Sequence, residues 1–126
     1  MKPTRRELLV SALATAAASI GADRSEPVVA VFSKPLQGLA IDELGRMLKW
    51  IGAGAVYLTV RPDGHVLPAQ VTRDLPRAAE VLVGHGVSIP MITTALTSAS
   101  DPAARPILET AGKLRIPYFK LGRAHV

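Results

Sequence analysis

The sequence predicts an α/β fold in which about four parallel strands alternate with helices. Short apolar runs recur about 30 residues apart, amphipathic helical patterns lie between them, and glycine or proline punctuates the segments. Because strand and helix alternate in this way, right-handed crossovers should bring the strands into a parallel sheet. The predicted strands cover residues 28–32, 55–60, 87–93 and 116–121.

The first predicted helix follows the first strand. Ile41, Leu44, Leu48 and Ile51 recur at helical spacing, and the pattern stops at Gly52. One apolar face with polar residues around it is typical of a helix that packs on a sheet by one side.

The second and third helices carry start and stop signals. The second is predicted to begin at Asp74, with a proline two residues later in its first turn, and to end at Gly84. The third is predicted to open with Asp101-Pro102 as N-cap and first helical residue, and to stop before Gly112. Acidic N-caps, early prolines and terminal glycines are the residues that such boundaries favour.

Two architectures use this alternation, the open doubly wound sheet and the (β/α)8 barrel. The first connection, Ser33–Gly38, has a proline where a dinucleotide-binding loop needs glycine, which argues against nucleotide binding. A complete barrel needs about 250 residues and eight strands. The prediction is therefore a partial (β/α)8 TIM barrel over residues 27–126.

The N-terminus has the layout of a signal peptide over residues 1–22. Three basic residues in Met1–Arg6 precede a run without charge over residues 8–22, and Thr4–Leu9 resembles a twin-arginine export signal. We therefore expect an exported protein, periplasmic or secreted. A weakly amphipathic soluble helix and an uncleaved anchor are the alternatives, although about 15 apolar residues are few for a membrane span.

Charge and composition limit the function classes. The formal charge of +5 falls to +3 without residues 1–22, because three Lys or Arg and one Glu leave with them. The remainder has no run of basic residues, and its aromatics stand among apolar neighbours, so we expect no nucleic-acid partner. The absence of cysteine excludes thiolate metal sites and a cysteine nucleophile.

Candidate binding residues follow the first two predicted strands. Arg61 and His65 lie on a turn rich in proline and glycine directly after the second strand, and Lys34 and Gln37 follow the first. Carboxyl ends of parallel strands are where α/β proteins present ligand-contacting groups, although a solvated Arg and a capping His are the plain alternative.

Asp63 is the one carboxylate at the predicted strand ends, so no metal site and no catalytic residue is assigned, and His65 is the only plausible base. Thr93 and Thr94 after the third strand, and Arg123 and His125 after the fourth, complete the polar groups there. Such donors suit hydrogen bonds to hydroxyl or phosphate oxygens.

Five segments taken in order resemble the N-terminal half of sugar phosphate isomerase/epimerase proteins of the xylose-isomerase-like barrel superfamily. The segments are Phe32–Gln37, Leu58–Pro68, Asp74–Pro76, Pro90–Thr94 and Tyr118–Gly122. The resemblance implies a barrel that binds a sugar or related polyol, with a divalent metal polarising its oxygens and carboxylates moving a proton. In that family the metal ligands come mainly from the second half of the barrel, which this chain does not include.

The resemblance leads us to expect a truncated isomerase/epimerase-like barrel that supplies the sugar contacts Lys34, Gln37, Arg61 and His65 without a complete metal site. Two alternatives stay open. One is a secreted, non-catalytic sugar-binding module whose exposed sheet edges pair with a second copy of the chain. The other is lyase or hydrolase chemistry on an oxidised sugar.

Overall fold

The computed structural model describes residues 27–123. The predicted signal peptide, residues 1–22, and His125 lie outside this range. The helices and strands follow one another in the order β1 (Ala30–Phe32), α1 (Ile41–Ile51), β2 (Ala55–Val60), α2 (Val71–Gly84), β3 (Ser88–Thr94), α3 (Ala104–Lys113) and β4 (Tyr118–Lys120). Two single-turn 3-10 helices, Lys34–Leu36 and Pro68–Gln70, precede α1 and α2.

The four strands form one parallel sheet in the order β1-β2-β3-β4. The predicted α/β class with four parallel strands and interleaved helices is therefore confirmed. A bulge between β2 and β3 shifts the register by one residue, so that Thr59 pairs with Thr93. One row of paired residues then crosses the whole sheet: Phe32, Tyr57, Met91 and Tyr118.

The hydrophobic core lies between the helices and one face of the sheet. Val56, Leu58 and Val60 alternate along β2, are fully buried, and belong to the same cluster as apolar residues of all three helices. Because successive side chains of a strand point to opposite faces, Tyr57 lies on the other face. That face is partly open: Tyr118, in the same row, is 66% exposed.

The bounds of α1 are those predicted, and the starts of α2 and α3 are corrected. Gly52 ends α1 in the left-handed conformation, with φ 79°, as a C-terminal glycine should. The prediction that α2 starts at Asp74 was wrong, because the 3-10 turn Pro68–Gln70 leads directly into the helix and Val71 is buried in the core. Pro76 therefore lies inside α2 rather than in its first turn.

Asp101 forms a turn before α3 instead of capping it directly. Its carboxylate accepts a hydrogen bond from the amide of Ala103 over 2.9 Å, and its carbonyl accepts one from the amide of Ala104. The helix then begins at Ala104. Within residues 27–123, none of the helices is both long and apolar enough to cross a membrane.

Candidate functional site

A cavity of about 420 Å³ lies where the carboxyl ends of the four strands meet. Its size falls in the range of small-molecule sites, and this edge of a parallel sheet is where α/β proteins bind ligands. We call it the cationic pocket because four of its lining residues are Lys or Arg. The lining residues are Phe32, Lys34, Arg61, Thr93, Thr94, Lys120, Leu121, Gly122 and Arg123.

The four cations of the pocket come from different segments at the carboxyl ends of the strands. Lys34 stands in the 3-10 turn just after β1, and Arg61 directly follows β2. Lys120 is the last residue of β4, and Arg123 follows three residues later. The parallel order of the strands places all four at one edge, because every strand ends there.

The pocket has a single sign of charge. No Asp or Glu lines it, and its cations form no ion pair with the acidic residues of the described segment. Asp63, the one carboxylate predicted at the strand ends, is exposed on the turn after β2 and does not line the cavity. Several uncompensated cations around one concavity attract an anion and concentrate it there.

Thr93 adds a buried hydroxyl to the pocket. It is 3% exposed, and among the described residues its Oγ1 has no hydrogen-bond partner. The adjacent Thr94, by contrast, donates to the carbonyl oxygen of Lys120 over 2.8 Å. A buried hydroxyl without a partner is unfavourable unless something fills its hydrogen-bonding capacity. Within the described residues the Thr93 hydroxyl thus has unused hydrogen-bonding capacity at the wall of the pocket.

The Phe32 ring forms an apolar wall of the same pocket. The Nζ atom of Lys120 lies 5.9 Å from its centroid, within range of a cation–π interaction. These two residues belong to β1 and β4, the two edges of the sheet, which three strand spacings would separate by roughly 14 Å in a flat sheet. Phe32 pairs with Tyr57, and Lys120 pairs with Thr93, which pairs with Thr59. The side chains of Phe32 and Lys120 therefore extend across the face away from the helices, where they border the pocket.

The His65 ring is held inside the structure rather than at the pocket. Its Nε2 lies 3.0 Å from the carbonyl oxygen of Leu36, and its Nδ1 lies 3.2 Å from the hydroxyl oxygens of both Ser33 and Thr59. A carbonyl oxygen can only accept, so in the neutral ring Nε2 carries the proton and Nδ1 accepts from a hydroxyl. Burial lowers the pKa of His65 below 6.5, against an opposite effect of the carbonyl oxygens of Leu36 and Leu39. The neutral ring is thus the form that fits.

Of the four predicted contact residues, the structure brings Lys34 and Arg61 together in the pocket. Gln37 is half-buried at the end of the first 3-10 turn and does not line the cavity. His65 instead faces a smaller cavity between α1 and α2. Direct substrate contact by Gln37 and His65 stays a prediction.

Sequence reasoning did not select Thr93, Lys120 or Arg123. The sequence places Thr93 and Arg123 at strand ends, but their residue types give no reason to prefer them over the other polar groups there. Lys120 fell inside the predicted strand 116–121, whereas β4 ends at Lys120. The signal that could have found it is its place as the one charged residue in the apolar run 116–121, combined with the nearby charge of Arg123.

A second cavity, of about 520 Å³, lies near the amino ends of β3 and β4. Aliphatic side chains such as Val83, Ile89 and Ile116 form most of its wall, with Glu80 and Arg115 as its charged members. It lacks the convergent polar groups that fix the orientation of a small ligand. The cationic pocket is therefore the better candidate site.

The divalent metal implied by the family resemblance does not fit the cationic pocket. Hard divalent cations need several oxygen ligands, usually including carboxylates, whereas the charged residues here are all cations. Within residues 27–123 no cluster of three or more His, Cys, Asp or Glu side chains could hold a metal ion.

Protein-family models, curated proteins and solved structures give no match to the chain.

Proposed function

We propose that the chain is a barrel segment of the sugar phosphate isomerase/epimerase type, and that it binds the phosphate group of a phosphorylated sugar in the cationic pocket. The pocket contributes recognition, and proton transfer and metal binding are not assigned to it. The observation that carries this proposal is the convergence, at the carboxyl ends of the strands, of four cations and of a Thr93 hydroxyl that has no hydrogen-bond partner within residues 27–123.

The fold supports the barrel part of the proposal. Four parallel strands stand in sequential order, and the helices pack on one face of the sheet. This is the arrangement of consecutive β/α units in a (β/α)8 barrel, whose ligands bind at the carboxyl ends of the strands. A doubly wound sheet would instead carry helices on both faces.

The chemistry of the pocket supports a phosphate group over a neutral sugar. Arginine donates two parallel hydrogen bonds to phosphate oxygens, and lysine contributes a compact positive charge. Charge-assisted hydrogen bonds contribute about 1.5–3 kcal/mol each, roughly twice as much as neutral ones. A doubly charged group therefore gains most from this set of donors, a carboxylate less, and a neutral hydroxyl least.

Calorimetric titration with three matched hexoses tests this order. Glucose, glucuronate and glucose 6-phosphate share one ring and carry no charge, one charge and about two charges. We expect affinity to rise along the series and the binding of glucose 6-phosphate to weaken as salt is added, since added ions screen the pocket. Equal affinities, or no binding of any member, would count against the proposal.

Two arginine variants localise the site. Arg61→Ala should lower the affinity for glucose 6-phosphate by about tenfold or more, which is the loss of one charge-assisted hydrogen bond. Arg105→Ala removes the same charge from the exposed surface of α3, where Arg105 does not line the cavity, and should leave affinity unchanged. Equal effects of the two substitutions would show that only net charge matters.

The second candidate function is a non-catalytic, self-assembling module, and exposed apolar residues on β4 favour it. Tyr118 and Phe119 are exposed on a strand that has no further neighbour within residues 27–123. An open edge with apolar side chains favours pairing with another chain. Both candidates place a sugar-derived ligand in the same pocket.

A further inference from the structure

We propose that His65 is a positioning residue for the cationic pocket. Its ring fixes the Lys34–Leu36 turn against the carboxyl end of β2, and it thereby holds the Lys34 ammonium and the Arg61 guanidinium at the cavity. This inference rests on the proposed function, because it concerns how that same pocket is kept in shape.

The ring connects two segments that are far apart in sequence and that each carry one cation. Leu36, two residues after Lys34, accepts a hydrogen bond from Nε2 over 3.0 Å. Thr59, two residues before Arg61, lies 3.2 Å from Nδ1. Both ring nitrogens are therefore used within the protein, and the segments that they join are the two that place Lys34 and Arg61.

The hydroxyl groups around Nδ1 form a closed set of hydrogen bonds. Ser33 Oγ accepts from the amide of Thr59 over 3.0 Å, and Thr59 Oγ1 accepts from the amide of His65 over 3.0 Å. Both side chains are fully buried, so in the intact protein their hydroxyls depend on partners within this set. A buried network of this kind fixes one arrangement of its segments when every member is satisfied.

The turn after β2 is fixed to the same point by its backbone. The amide of Arg61 donates to the carbonyl oxygen of Val66, and the amide of Val66 donates to that of Thr59. The turn therefore returns beside the end of β2, and His65 sits where it comes back. The direction of the Arg61 backbone consequently depends on the place of His65.

Charged groups near the His65 ring do not fix its position. Lys34 belongs to the 3-10 turn, Arg61 and Asp63 to the turn after β2, and Asp74 and Arg77 of α2 line the small cavity that the ring faces. None of these five residues forms a hydrogen bond or an ion pair with the imidazole. The His65 ring is instead held in place by hydrogen bonds with one carbonyl oxygen and two hydroxyl groups, all of them uncharged.

Conservative substitutions of His65 separate the roles of its two ring nitrogens. Glutamine can place an amide N–H near the position of Nε2 and keep the bond to Leu36, whereas asparagine reaches only the position of Nδ1. We expect His65→Ala to weaken glucose 6-phosphate binding roughly tenfold, His65→Gln to recover most of the loss, and His65→Asn to recover little. Recovery by asparagine equal to that by glutamine would overturn the role of the Leu36 contact.

A double-mutant cycle with Lys34 separates positioning from direct contact. If His65 acts through Lys34, His65→Ala should cost clearly less affinity in the Lys34→Ala background than in the wild type, because the two effects are coupled. An undiminished cost both in that background and in the Arg61→Ala background would mean that His65 acts through neither cation, and would overturn the proposal. Inorganic sulfate, which keeps two charges from pH 5 to 8, serves as a second probe.

Hydrogen exchange without ligand tests the positioning independently of the proposed function. The amides of Leu36 and Leu39 donate to Ser33 and Leu36. They should lose protection in His65→Ala and regain it in His65→Gln, while amides within β3 stay protected. Unchanged protection would overturn the inference even if the pocket binds anions, whereas a wild type that binds no anion would overturn the proposed function alone.

Discussion

Thr94 donates a 2.8 Å hydrogen bond to the carbonyl oxygen of Lys120, and this bond ties the carboxyl ends of β3 and β4 together. The neighbouring Thr93 has no partner for its hydroxyl among the described residues. Both threonines line the pocket, but within the described residues only the Thr94 hydroxyl is bonded, and it holds the ends of β3 and β4 together. Substituting each by valine, which keeps the shape and removes the hydroxyl, separates stability from binding.

Thr94→Val should lower the free energy of unfolding by about 1–3 kcal/mol, because it leaves the Lys120 carbonyl without its partner. Thr93→Val should instead raise the free energy of unfolding by about 1 kcal/mol, since it removes an unsatisfied buried group, and should weaken glucose 6-phosphate binding. Urea denaturation and calorimetry measure the two quantities. A Thr93→Val protein that loses stability and keeps its affinity would contradict this assignment.

The stability of the protein should fall in acid because of His65. Its pKa in the folded state is lowered by burial, so the unfolded chain takes up a proton more readily. The stabilisation is present above pH 6.5 and is lost as the pH falls from 6.5 through the folded-state pKa. The comparison is between wild type and His65→Gln, because the two proteins differ only at this titratable group.

Urea denaturation at pH 8 and pH 5.5 measures this effect. The difference in unfolding free energy between the two proteins should shrink or reverse towards pH 5.5, because glutamine does not titrate. A constant difference across this range would show that the His65 pKa is not lowered in the folded protein.

Gly45 allows α1 to pack closely on the end of α2. A Cβ atom at position 45 would lie 2.5 Å from Cδ2 of His85, whose Nε2 forms a 2.8 Å bond with Asp42. The His85 hydrogen bond also holds the pKa of Asp42 below 3.8. Gly45→Ala should therefore displace His85 and lower the free energy of unfolding by about 1–3 kcal/mol, as overpacking does.

Gly84→Ala is the matched control, because a Cβ atom there meets nothing within 4 Å. Removing a glycine from the end of α2 should be neutral or stabilise the protein by up to about 1 kcal/mol. Thermal or urea denaturation of the two variants gives the comparison, and equal stabilities would mean that His85 moves aside without cost.

Self-association is expected of the chain in solution, because both edges of the described sheet are open. The edge strands β1 and β4 have three residues each, and Tyr118 and Phe119 expose apolar surface beside an unpaired backbone. Tyr118→Lys places a charge on this edge and should shift the chain towards monomer. Light scattering of the wild type and of Tyr118→Lys over a range of concentrations measures this shift. Tyr118 is exposed, so the substitution should leave the buried core unchanged. A wild type that stays monomeric at every concentration would contradict the expectation.

Much of the fold follows from local sequence signals. The bounds of α1 and β2 agree with prediction. The apolar periodicity of Ile41–Ile51 ends at Gly52, and the strand-forming run Ala55–Val60 ends at Arg61-Pro62. The start of α2 does not follow, since burial of Val71 extends the helix beyond its acidic start signal.

The pocket could be predicted only in part. Lys34 and Arg61 come directly after strands, so parallel pairing alone brings them together. Thr93 depends on the bulge that pairs it with Thr59, and without that bulge Ile92 would take this place.

The pattern Pro62-Asp63-Gly64 predicts the turn after β2, which the Gly64 amide closes onto the Arg61 carbonyl oxygen. It does not specify which partners the His65 ring then meets, because Ser33 and Leu36 come from another segment.

Backbone NMR during a titration with glucose 6-phosphate tests the central claim most directly, because it locates the ligand without any substitution. The largest shifts are predicted at the carboxyl edge of the sheet, at the amides of Lys34, Arg61, Thr93 and Lys120, and should saturate with one affinity. The amides of Ser88 and Ile116, at the opposite edge, should stay unchanged. Shifts confined to that opposite edge, or no saturable shifts at all, would contradict phosphate binding in the cationic pocket.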